Sequence, residues 1–296
     1  MNKGKKVLSI HKKPSAHWVG DGFPVRTIFS AFGDSTLRFS PFLLLDYAGP
    51  KEFPPSDKPP GVDEHPHRGF ETVTIVYQGE LEHRDSSGNQ GKIGPGDVQW
   101  MTAASGLVHE EKHAREFTKR GGTLEMIQLW VNLPAKFKMS PPRYQELLDR
   151  QISIVNLADG GGTVRVIAGE FQKAKGPART FTPVNLWDVR LKAGHRMDLN
   201  LPSGYTTALF VLRGKLKLNA TEQAGEVELV RFDGDGEEIT IDAEQDSSVL
   251  VLNGEPIDEP IASYGPFVMN TQEEIQQAMR DYQSGRMGRL AHSSHR

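Results

Sequence analysis

Arg68-Gly-Phe-Glu-Thr-Val-Thr-Ile-Val-Tyr-Gln-Gly-Glu-Leu-Glu-His83 aligns without gaps on Ser203-Gly-Tyr-Thr-Thr-Ala-Leu-Phe-Val-Leu-Arg-Gly-Lys-Leu-Lys-Leu218, and this pair of stretches decides the fold. The second copy stands 135 residues after the first. Each copy is an apolar run, a glycine turn and a second run, and each later reaches a Gly-Asp turn, at Gly96-Asp97 and at Gly234-Asp235. Self-similarity over this distance indicates two homologous domains.

The rest of the chain also reads as short strands between glycine and proline turns. Length, β-branched content and flanking turn residues favour strands over helices. Antiparallel strands in such repeats close most naturally into sandwiches or barrels of the jelly-roll type. The sequence therefore predicts a mainly β protein with two antiparallel barrels. The predicted strands are at residues 73–77, 98–101, 124–131, 186–191, 208–212, 239–241 and 249–252.

The predicted domains are residues 1–134 and 135–296, since prolines and the triplet Gly160-Gly-Gly162 interrupt the chain between the repeats. Helical periodicity is convincing at Asn270–Tyr282, where Thr271 and Glu274 form a capping-box pattern. A shorter helical turn is predicted at Arg143–Leu148. The expected architecture is thus two barrels followed by one short carboxyl-terminal helix.

Composition excludes several classes of function. With 35 Lys and Arg against 38 Asp and Glu, the chain has no excess of positive charge for gripping nucleic acid. It contains no cysteine, so a thiolate zinc site, an iron–sulfur cluster and a cysteine nucleophile are excluded. No apolar run has the length of a signal peptide or a membrane span, which predicts a soluble cytoplasmic protein.

The ten histidines are unevenly placed, and five of them fall within residues 65–113. His65-Pro-His67 precedes the first repeat, and His109-Glu-Glu111 follows some forty residues later. Side chains two residues apart share one face of a strand, so each pair can converge on one ion. Three imidazoles and a carboxylate form a nitrogen and oxygen site suited to Fe, Mn, Ni, Co, Cu or Zn.

Three further residues leave alternatives open. In a strand that runs unbroken from His65, the odd-numbered positions face inward, and Glu71 is one of them. Three interpretations of Glu71 stay open: a metal ligand, a hydrogen-bond acceptor that orients a histidine, or an exposed strand residue. His113 is a reserve ligand, and His83 is interpreted as facing the pocket without binding metal. The second repeat has Asn200, Pro202 and Thr206 in place of His65, His67 and Glu71, so we expect it to hold no metal.

Four blocks of sequence resemble the pirins, a branch of the cupin superfamily. They are Asp63-Glu-His-Pro-His-Arg-Gly-Phe-Glu-Thr-Val73, Gly94-Pro-Gly-Asp-Val-Gln-Trp-Met-Thr-Ala103, Gly106-Leu-Val-His-Glu-Glu111 and Gly265-Pro-Phe-Val-Met-Asn-Thr-Gln-Glu-Glu274. The resemblance covers nearly the whole chain in the same order. It implies two cupin barrels, with one metal in the amino-terminal barrel and none in the other.

The resemblance also implies the ligands and the activity. The pirin ligand set falls on His65, His67, His109 and Glu111, with Fe(II) as the expected metal. The resemblance therefore favours Glu111 over Glu71 as the carboxylate ligand. Several pirins are similar in activity to quercetin 2,3-dioxygenase, which opens the flavonol heterocycle with O2 and releases CO. On that view the partners are O2 and a planar aromatic molecule, and Glu111 is the catalytic base.

The resemblance implies a second possible role, that of a regulator. Some pirins act as iron-dependent, redox-sensing partners of transcription factors or of a metabolic enzyme. The same four ligands would then form a sensor, and the output would be binding to another protein. The near-neutral charge of this chain predicts that such a role would work through proteins rather than through direct contact with DNA.

Overall fold

The computed structural model describes residues 4–32 and 39–290, and the predicted mainly β class is confirmed. All seven predicted strands are present, each extended by one to three residues at its ends. The strands are β1 (Val7–His11), β2 (His17–Val19), β3 (Phe23–Ser30), β4 (Phe42–Phe53), β5 (Gly61–His67), β6 (Phe70–Gln78), β7 (Leu81–Asp85), β8 (Gln90–Ile93), β9 (Val98–Thr102), β10 (Leu107–His113), β11 (Gly122–Asn132), β12 (Arg143–Leu147), β13 (Ser153–Asn156), β14 (Gly162–Ala168), β15 (Glu170–Phe171), β16 (Ala174–Lys175), β17 (Val184–Leu191), β18 (Arg196–Asn200), β19 (Thr206–Arg213), β20 (Leu216–Leu218), β21 (Glu222–Ala224), β22 (Glu228–Phe232), β23 (Glu238–Ala243), β24 (Ser247–Gly254), β25 (Ala262–Tyr264) and β26 (Phe267–Met269).

Two α-helices lie within the described residues, α1 (Arg115–Arg120) and α2 (Gln272–Gln283). The predicted terminal helix is therefore confirmed, and Thr271 and Glu274 form the expected reciprocal capping box. The helical turn predicted at Arg143–Leu148 is wrong, because this segment is strand β12, paired with β9. No helix in residues 4–32 and 39–290 has the length and apolar character needed to cross a bilayer.

Contacts divide the chain into two compact units. The histidine-rich unit is Ser15–Leu37, Phe42–Asp149 and Ile257–Arg296, and the second unit is Met1–Pro14, Arg38–Pro41 and Arg150–Pro256. Each unit thus consists of several segments of sequence. The predicted boundary between residues 134 and 135 divides the linear chain, and it stays a prediction.

The two units share one sheet topology, which confirms the internal repeat. The histidine-rich unit has a seven-stranded sheet, β12-β9-β6-β11-β4-β3-β2, and a four-stranded sheet, β5-β10-β7-β8. The second unit has the corresponding orders β1-β22-β19-β24-β17-β14-β13 and β18-β23-β20-β21. The repeated stretches occupy equivalent places as β6 with β7 and β19 with β20. Closure of these sheets into barrels stays a prediction.

The core of each unit lies between its two large sheets. In the histidine-rich unit, Val76 and Met126 of the seven-stranded sheet pack with Leu81 and Ile93 of the four-stranded sheet. In the second unit the core extends through β18 and β23, whose inward residues are all apolar. The corresponding pair in the histidine-rich unit, β5 and β10, carries the histidines instead. Burial of apolar side chains thus supports both units, and the β5 and β10 pair of the histidine-rich unit carries polar groups where the equivalent pair of the second unit is apolar.

Gly69 is the residue at which the chain leaves β5 and enters β6. Its φ is +90°, and a Cβ there would collide with the carbonyl oxygen of Val268. Gly88 has nearly the same φ, +88°, but no atom lies within 4 Å of its hypothetical Cβ. A side chain at either glycine would therefore strain the backbone, but only at Gly69 would it also collide with a neighbouring atom.

We expect Gly88→Ala to lower the free energy of unfolding by about 1–2 kcal/mol, the cost of a left-handed alanine. Gly69→Ala should lower it by about 3 kcal/mol or more, because the backbone around Val268 must also move. Urea unfolding of both variants measures the difference. Equal losses at the two positions would show that the close approach of Val268 does not matter.

Candidate metal centre

Pairing of β5 with β10 brings three of the predicted ligands together. His65 lies directly opposite His109 in the register, with ring centroids 4.2 Å apart. The His67 ring lies 4.9 Å from each of the other two. One possible ligand atom of each histidine lies within 4.8 Å of those of the other two. The spacing of a metal site is thus produced by cross-strand pairing and by alternation within β5.

Hydrogen bonds to the Nδ1 atoms assign the tautomers of His65 and His67. Nδ1 of His65 lies 2.7 Å from the carbonyl oxygen of Asp63, and Nδ1 of His67 lies 3.4 Å from that of Pro266. A carbonyl oxygen can only accept, so both Nδ1 atoms carry the proton. Each Nε2 atom then keeps its lone pair, as a metal ligand requires.

A chain of buried groups assigns the tautomer of His109. Nε2 of His83 lies 3.2 Å from a carboxylate oxygen of Asp85, and Nδ1 of His83 lies 3.4 Å from Nδ1 of His109. Burial opposes ionisation of Asp85, but hydrogen bonds from His83 and Asn89 outweigh it and lower the pKa of this carboxyl. His83 therefore donates to Asp85 and accepts from His109. Nε2 of His109 is left with its lone pair.

Burial also keeps the imidazoles of His67 and His109 neutral. The pKa of His67 lies well below its ordinary value because of burial and, to a smaller extent, the nearby His65. The pKa of His109 is lowered in the same way, by burial first and then by His65, His67 and His83. Neutral imidazole is the form that binds a metal ion.

Glu111, the predicted carboxylate ligand, is buried and held by amide donors. Nε2 of Gln99 donates to Oε1 at 2.6 Å, and Nε2 of Gln128 donates to Oε2 at 3.1 Å. Oγ1 of Thr74 donates to the Gln128 side-chain oxygen at 2.6 Å and lies 3.2 Å from Glu111 Oε1. A carboxylate accepts about four hydrogen bonds, so Glu111 keeps capacity for a further partner.

These donors belong to a row of polar side chains that crosses five strands of the seven-stranded sheet. Register pairs Thr27 with Asp46, Asp46 with Gln128, Gln128 with Thr74, and Thr74 with Gln99. Residues directly opposite each other point to the same face. We call these five residues the polar row. Sequence analysis did not assign them a role, although each interrupts or borders a run of apolar residues.

The predicted ligands border a cavity of about 180 Å³. His65, His67 and Glu111 line it, together with Asp46 and Gln128 of the polar row. Its other lining residues are apolar: Val19, Phe23, Val25, Val62, Met126 and Trp130. All of these residues belong to the histidine-rich unit.

The other two histidines of this region, His83 and His113, are placed differently relative to the predicted ligands. One possible ligand atom each of Glu111, His109 and His83 lies within 4.8 Å of the others, so the histidine interpreted as a pocket residue is a neighbour of the ligands. His113, the reserve ligand, belongs to neither group of possible ligands and bonds through Nε2 to the carbonyl oxygen of Gly22 at 2.9 Å. Within the described residues, both groups lie in the histidine-rich unit.

The predicted inward face of the strand after His67 is wrong. The strand does not run unbroken from His65, because β5 ends at His67 and β6 begins at Phe70 in another sheet. Thr74, an even-numbered position, faces Glu111, while Glu71 accepts a 2.7 Å hydrogen bond from Thr102. Glu71 is thus buried on the opposite face of β6 and belongs to neither group of possible ligands.

The carboxyl-terminal segment fastens the turn that follows His67. Besides the contact between Pro266 and His67, the backbone amide of Val268 donates to the carbonyl oxygen of Arg68 at 3.0 Å. The Arg68 guanidinium forms a 2.8 Å ion pair with Asp281 of α2. The sequence signal for these contacts is the fourth block, residues 265–274, whose role could not be seen without the fold.

The donor set fits a transition metal. Nε2 of His109 is buried and has no hydrogen-bond partner among the described residues, although a buried polar atom normally has one. A metal ion bound by the three imidazoles would satisfy this atom. The His83 and Asp85 chain behind His109 is the arrangement that orients metal-binding histidines.

Comparisons with known proteins identify the family of the chain. The pirin family matches residues 22–131, and the pirin C-terminal cupin domain matches residues 186–288. A Pseudomonas aeruginosa protein provisionally named quercetin 2,3-dioxygenase is 57% identical over 282 residues, which cover 95% of this chain and 98% of that protein. The chain belongs to the pirin family. The resemblance expected from the sequence is thereby confirmed.

Two further pirin comparisons extend over the same length. Human pirin is 35% identical, with 97% of this chain and 96% of that protein covered. The crystal structure of quercetin 2,3-dioxygenase from Acinetobacter baumannii is 48% identical, with a TM-score of 0.93 and 98% of this chain and all of that chain covered. The pirin match at residues 22–131 contains the whole segment from His65 to Glu111.

The pH dependence of the unfolding free energy tests whether Glu71 is buried. Burial raises the pKa of Glu71 from 4.5 to about 7. The folded protein then keeps this proton up to about pH 7, whereas the unfolded chain releases it near pH 4.5. The free energy of unfolding should therefore fall by up to about 3 kcal/mol as the pH rises through this window.

Glu71→Gln should remove that part of the pH dependence. We expect the variant and the parent protein to differ in unfolding free energy by an amount that grows in favour of the variant between pH 5 and pH 7.5. Urea unfolding at several pH values measures it. A difference that is constant with pH would contradict the protonated, buried carboxyl.

Proposed function

We propose that the protein is a metal-dependent dioxygenase of the quercetin 2,3-dioxygenase type, with the metal held by His65, His67, His109 and Glu111. The observation that carries the proposal is the convergence of three imidazoles, one with a buried and unsatisfied Nε2, beside a cavity lined by Glu111. The similarity to the proteins named quercetin 2,3-dioxygenase supports the same activity.

The proposed metal is Fe(II). Three nitrogen donors and one oxygen donor also suit Mn, Ni, Co, Cu and Zn, so the supply of each metal in the cell helps to determine which ion binds. When bound, such an ion supplies Lewis acidity toward the 3-hydroxyl group of the flavonol. The proposed reaction consumes O2, opens the heterocycle and releases CO.

Glu111 is the proposed general base. Its carboxylate would take the proton from the flavonol 3-hydroxyl, which turns the substrate into its reactive enolate. Hydrogen bonds from Gln99 and Gln128 fix the carboxylate plane while that proton moves. The tie to two amides restricts Glu111 to one orientation toward the cavity.

The apolar part of the cavity supports a planar aromatic substrate. Phe23, Val25, Met126 and Trp130 offer surfaces that bury ring carbons and exclude water. Exclusion of water strengthens the electrostatic effect of Glu111 on the substrate proton.

Loss of a ligand should remove metal and turnover together. We expect His67→Ala and Glu111→Gln to lose stoichiometric metal, and to lose at least about 100-fold in turnover because several kcal/mol of Lewis-acid stabilisation disappear. The measurements are elemental analysis of the protein, loss of flavonol absorbance after anaerobic Fe(II) reconstitution, and detection of CO.

Glu71→Gln is the matched control, since it makes the same substitution in a buried glutamate on the other face of β6. It should keep metal and turnover. Undiminished activity of the metal-free ligand variants would refute the assignment. Trace turnover by the parent protein, together with tight binding of a protein partner in one iron oxidation state, would favour the regulatory role.

The chain behind His109 gives a further prediction. Asp85→Asn should weaken metal binding by about 10- to 100-fold, because an amide can turn its donor toward His83 and disturb the tautomer of His109. Competition with a metal chelator measures the affinity. Asp57→Asn, at an exposed position, is the control, and equal affinities in the two variants would contradict a role for the chain.

A further inference from the structure

Asp46 is a second carboxyl group in the cavity, besides Glu111, and the proposed mechanism does not use it. It lies in β4, between Thr27 of β3 and Gln128 of β11 in the polar row. Oγ1 of Thr27 donates to Oδ1 of Asp46 at 2.6 Å. No described residue is placed to donate to Oδ2. The Asp46 carboxyl therefore has one oxygen held by the sheet and one available to a molecule in the cavity.

Asp46 is half-buried, and its surroundings in the cavity are partly apolar. Six of the eleven residues that line the cavity are apolar. Burial raises the pKa of Asp46, against the effects of the Thr27 hydrogen bond and the nearby His17. A poorly solvated acceptor gains more from a new hydrogen bond than one in water does, because it has less water to lose.

We propose that Asp46 is a specificity-determining residue, which accepts a hydrogen bond from a ring hydroxyl of the substrate other than the hydroxyl that reacts. This proposal rests on the proposed function, since it assigns the substrate class of the same cavity. The substrate is then an aromatic molecule with at least two hydroxyl groups. One is directed to the ligand side of the cavity, and the other reaches Asp46.

The size of the cavity limits how much of the substrate enters. A cavity of 150 Å³ in another protein holds benzene, so about 180 Å³ accommodates one substituted ring rather than a whole flavonol. Val19, at the exposed edge strand β2, borders the cavity, so the remainder of a larger molecule would extend past this edge. Selection by Asp46 would therefore act on the ring that enters.

Charge narrows the substrate class further. Asp46 and Glu111 are both carboxyl groups, and the cavity lining contains no lysine or arginine. An aromatic molecule with a carboxylate or sulfate directed at Asp46 would meet a group of like charge with no basic side chain in the lining beside it, which disfavours it. A phenolic hydroxyl brings a donor and no charge, so it matches the Asp46 oxygen.

The test compares two ligands and two substitutions. Quercetin carries several ring hydroxyls, and 3-hydroxyflavone carries only the reactive one. In Asp46→Asn, Thr27 still bonds the side-chain oxygen, so the group facing the cavity becomes an amide donor. In Asp46→Leu the position has no polar group. Calorimetric titration of the metal-loaded protein under anaerobic conditions gives the dissociation constants without turnover.

We expect the parent protein to bind quercetin more tightly than 3-hydroxyflavone, and both substitutions to reduce this preference by about 10- to 100-fold. Steady-state rates should follow, with the loss in KM for quercetin rather than in kcat. Thr27→Val, which removes the hydrogen bond to Asp46 without changing the cavity lining, should reduce the preference less. Asp57→Asn should leave it unchanged.

The outcomes separate the two proposals. The role of Asp46 would be overturned if the preference for quercetin over 3-hydroxyflavone survived both substitutions. It would also be overturned if the two ligands lost affinity equally. A preference that depends on Asp46 in a protein that turns over neither flavonol would sustain the binding proposal and contradict the dioxygenase. Asp46→Asn keeps the volume and the Thr27 contact, so the test remains decisive if Asp46→Leu does not fold.

Discussion

Burial of the Glu111 carboxylate is the constraint on which the rest of the site depends. A carboxylate placed in an apolar core costs far more free energy than a neutral group unless donors surround it. The histidine-rich unit supplies amide donors from two strands, Gln99 and Gln128, and Thr74 of the strand between them holds the Gln128 amide in place. Each of these strands is otherwise mostly apolar. The need to satisfy this charge explains Gln99, Thr74 and Gln128 of the polar row, and Asp46, the next residue in the row, lies beside the cavity.

The same reasoning applies to the imidazoles. A histidine binds metal through one nitrogen only if the other nitrogen has an acceptor. The acceptor for His65 is local, the carbonyl group of Asp63, whereas those for His67 and His109 come from distant parts of the chain, the carbonyl group of Pro266 and the His83 ring backed by Asp85. Pro266 reaches the site because the segment that ends in α2 packs beside the turn after His67. Residues far apart in sequence thus orient ligands that are close together.

Comparison of the two units separates what the fold needs from what the site needs. Both have the same strand order, yet β18 and β23 carry apolar residues where β5 and β10 carry histidines. An apolar core is thus sufficient for this topology, and the polar row, the histidines and the buried Glu111 are additions to it. Function resides in a site rather than in a fold, and the proposed site lies in the histidine-rich unit.

The sequence by itself determined the β class, the internal repeat, the terminal helix and the two histidine motifs, because all of these are local patterns or alignments of the chain with itself. It failed at Arg143–Leu148, where pairing with β9 overrides a local helical tendency. It also failed at the face of β6. The break at Gly69 moves the chain to another sheet, and parity cannot be counted through a break.

Only the tertiary structure decided that Thr74 rather than Glu71 faces Glu111, that His83 stands behind His109, and that Asp46 borders the cavity. These relations follow from strand register and from packing between sheets, which join residues separated by tens to hundreds of positions. A single sequence records which side chains are available. Which of them meet is fixed by the hydrogen-bonded pairing of strands, and that is a property of the folded chain.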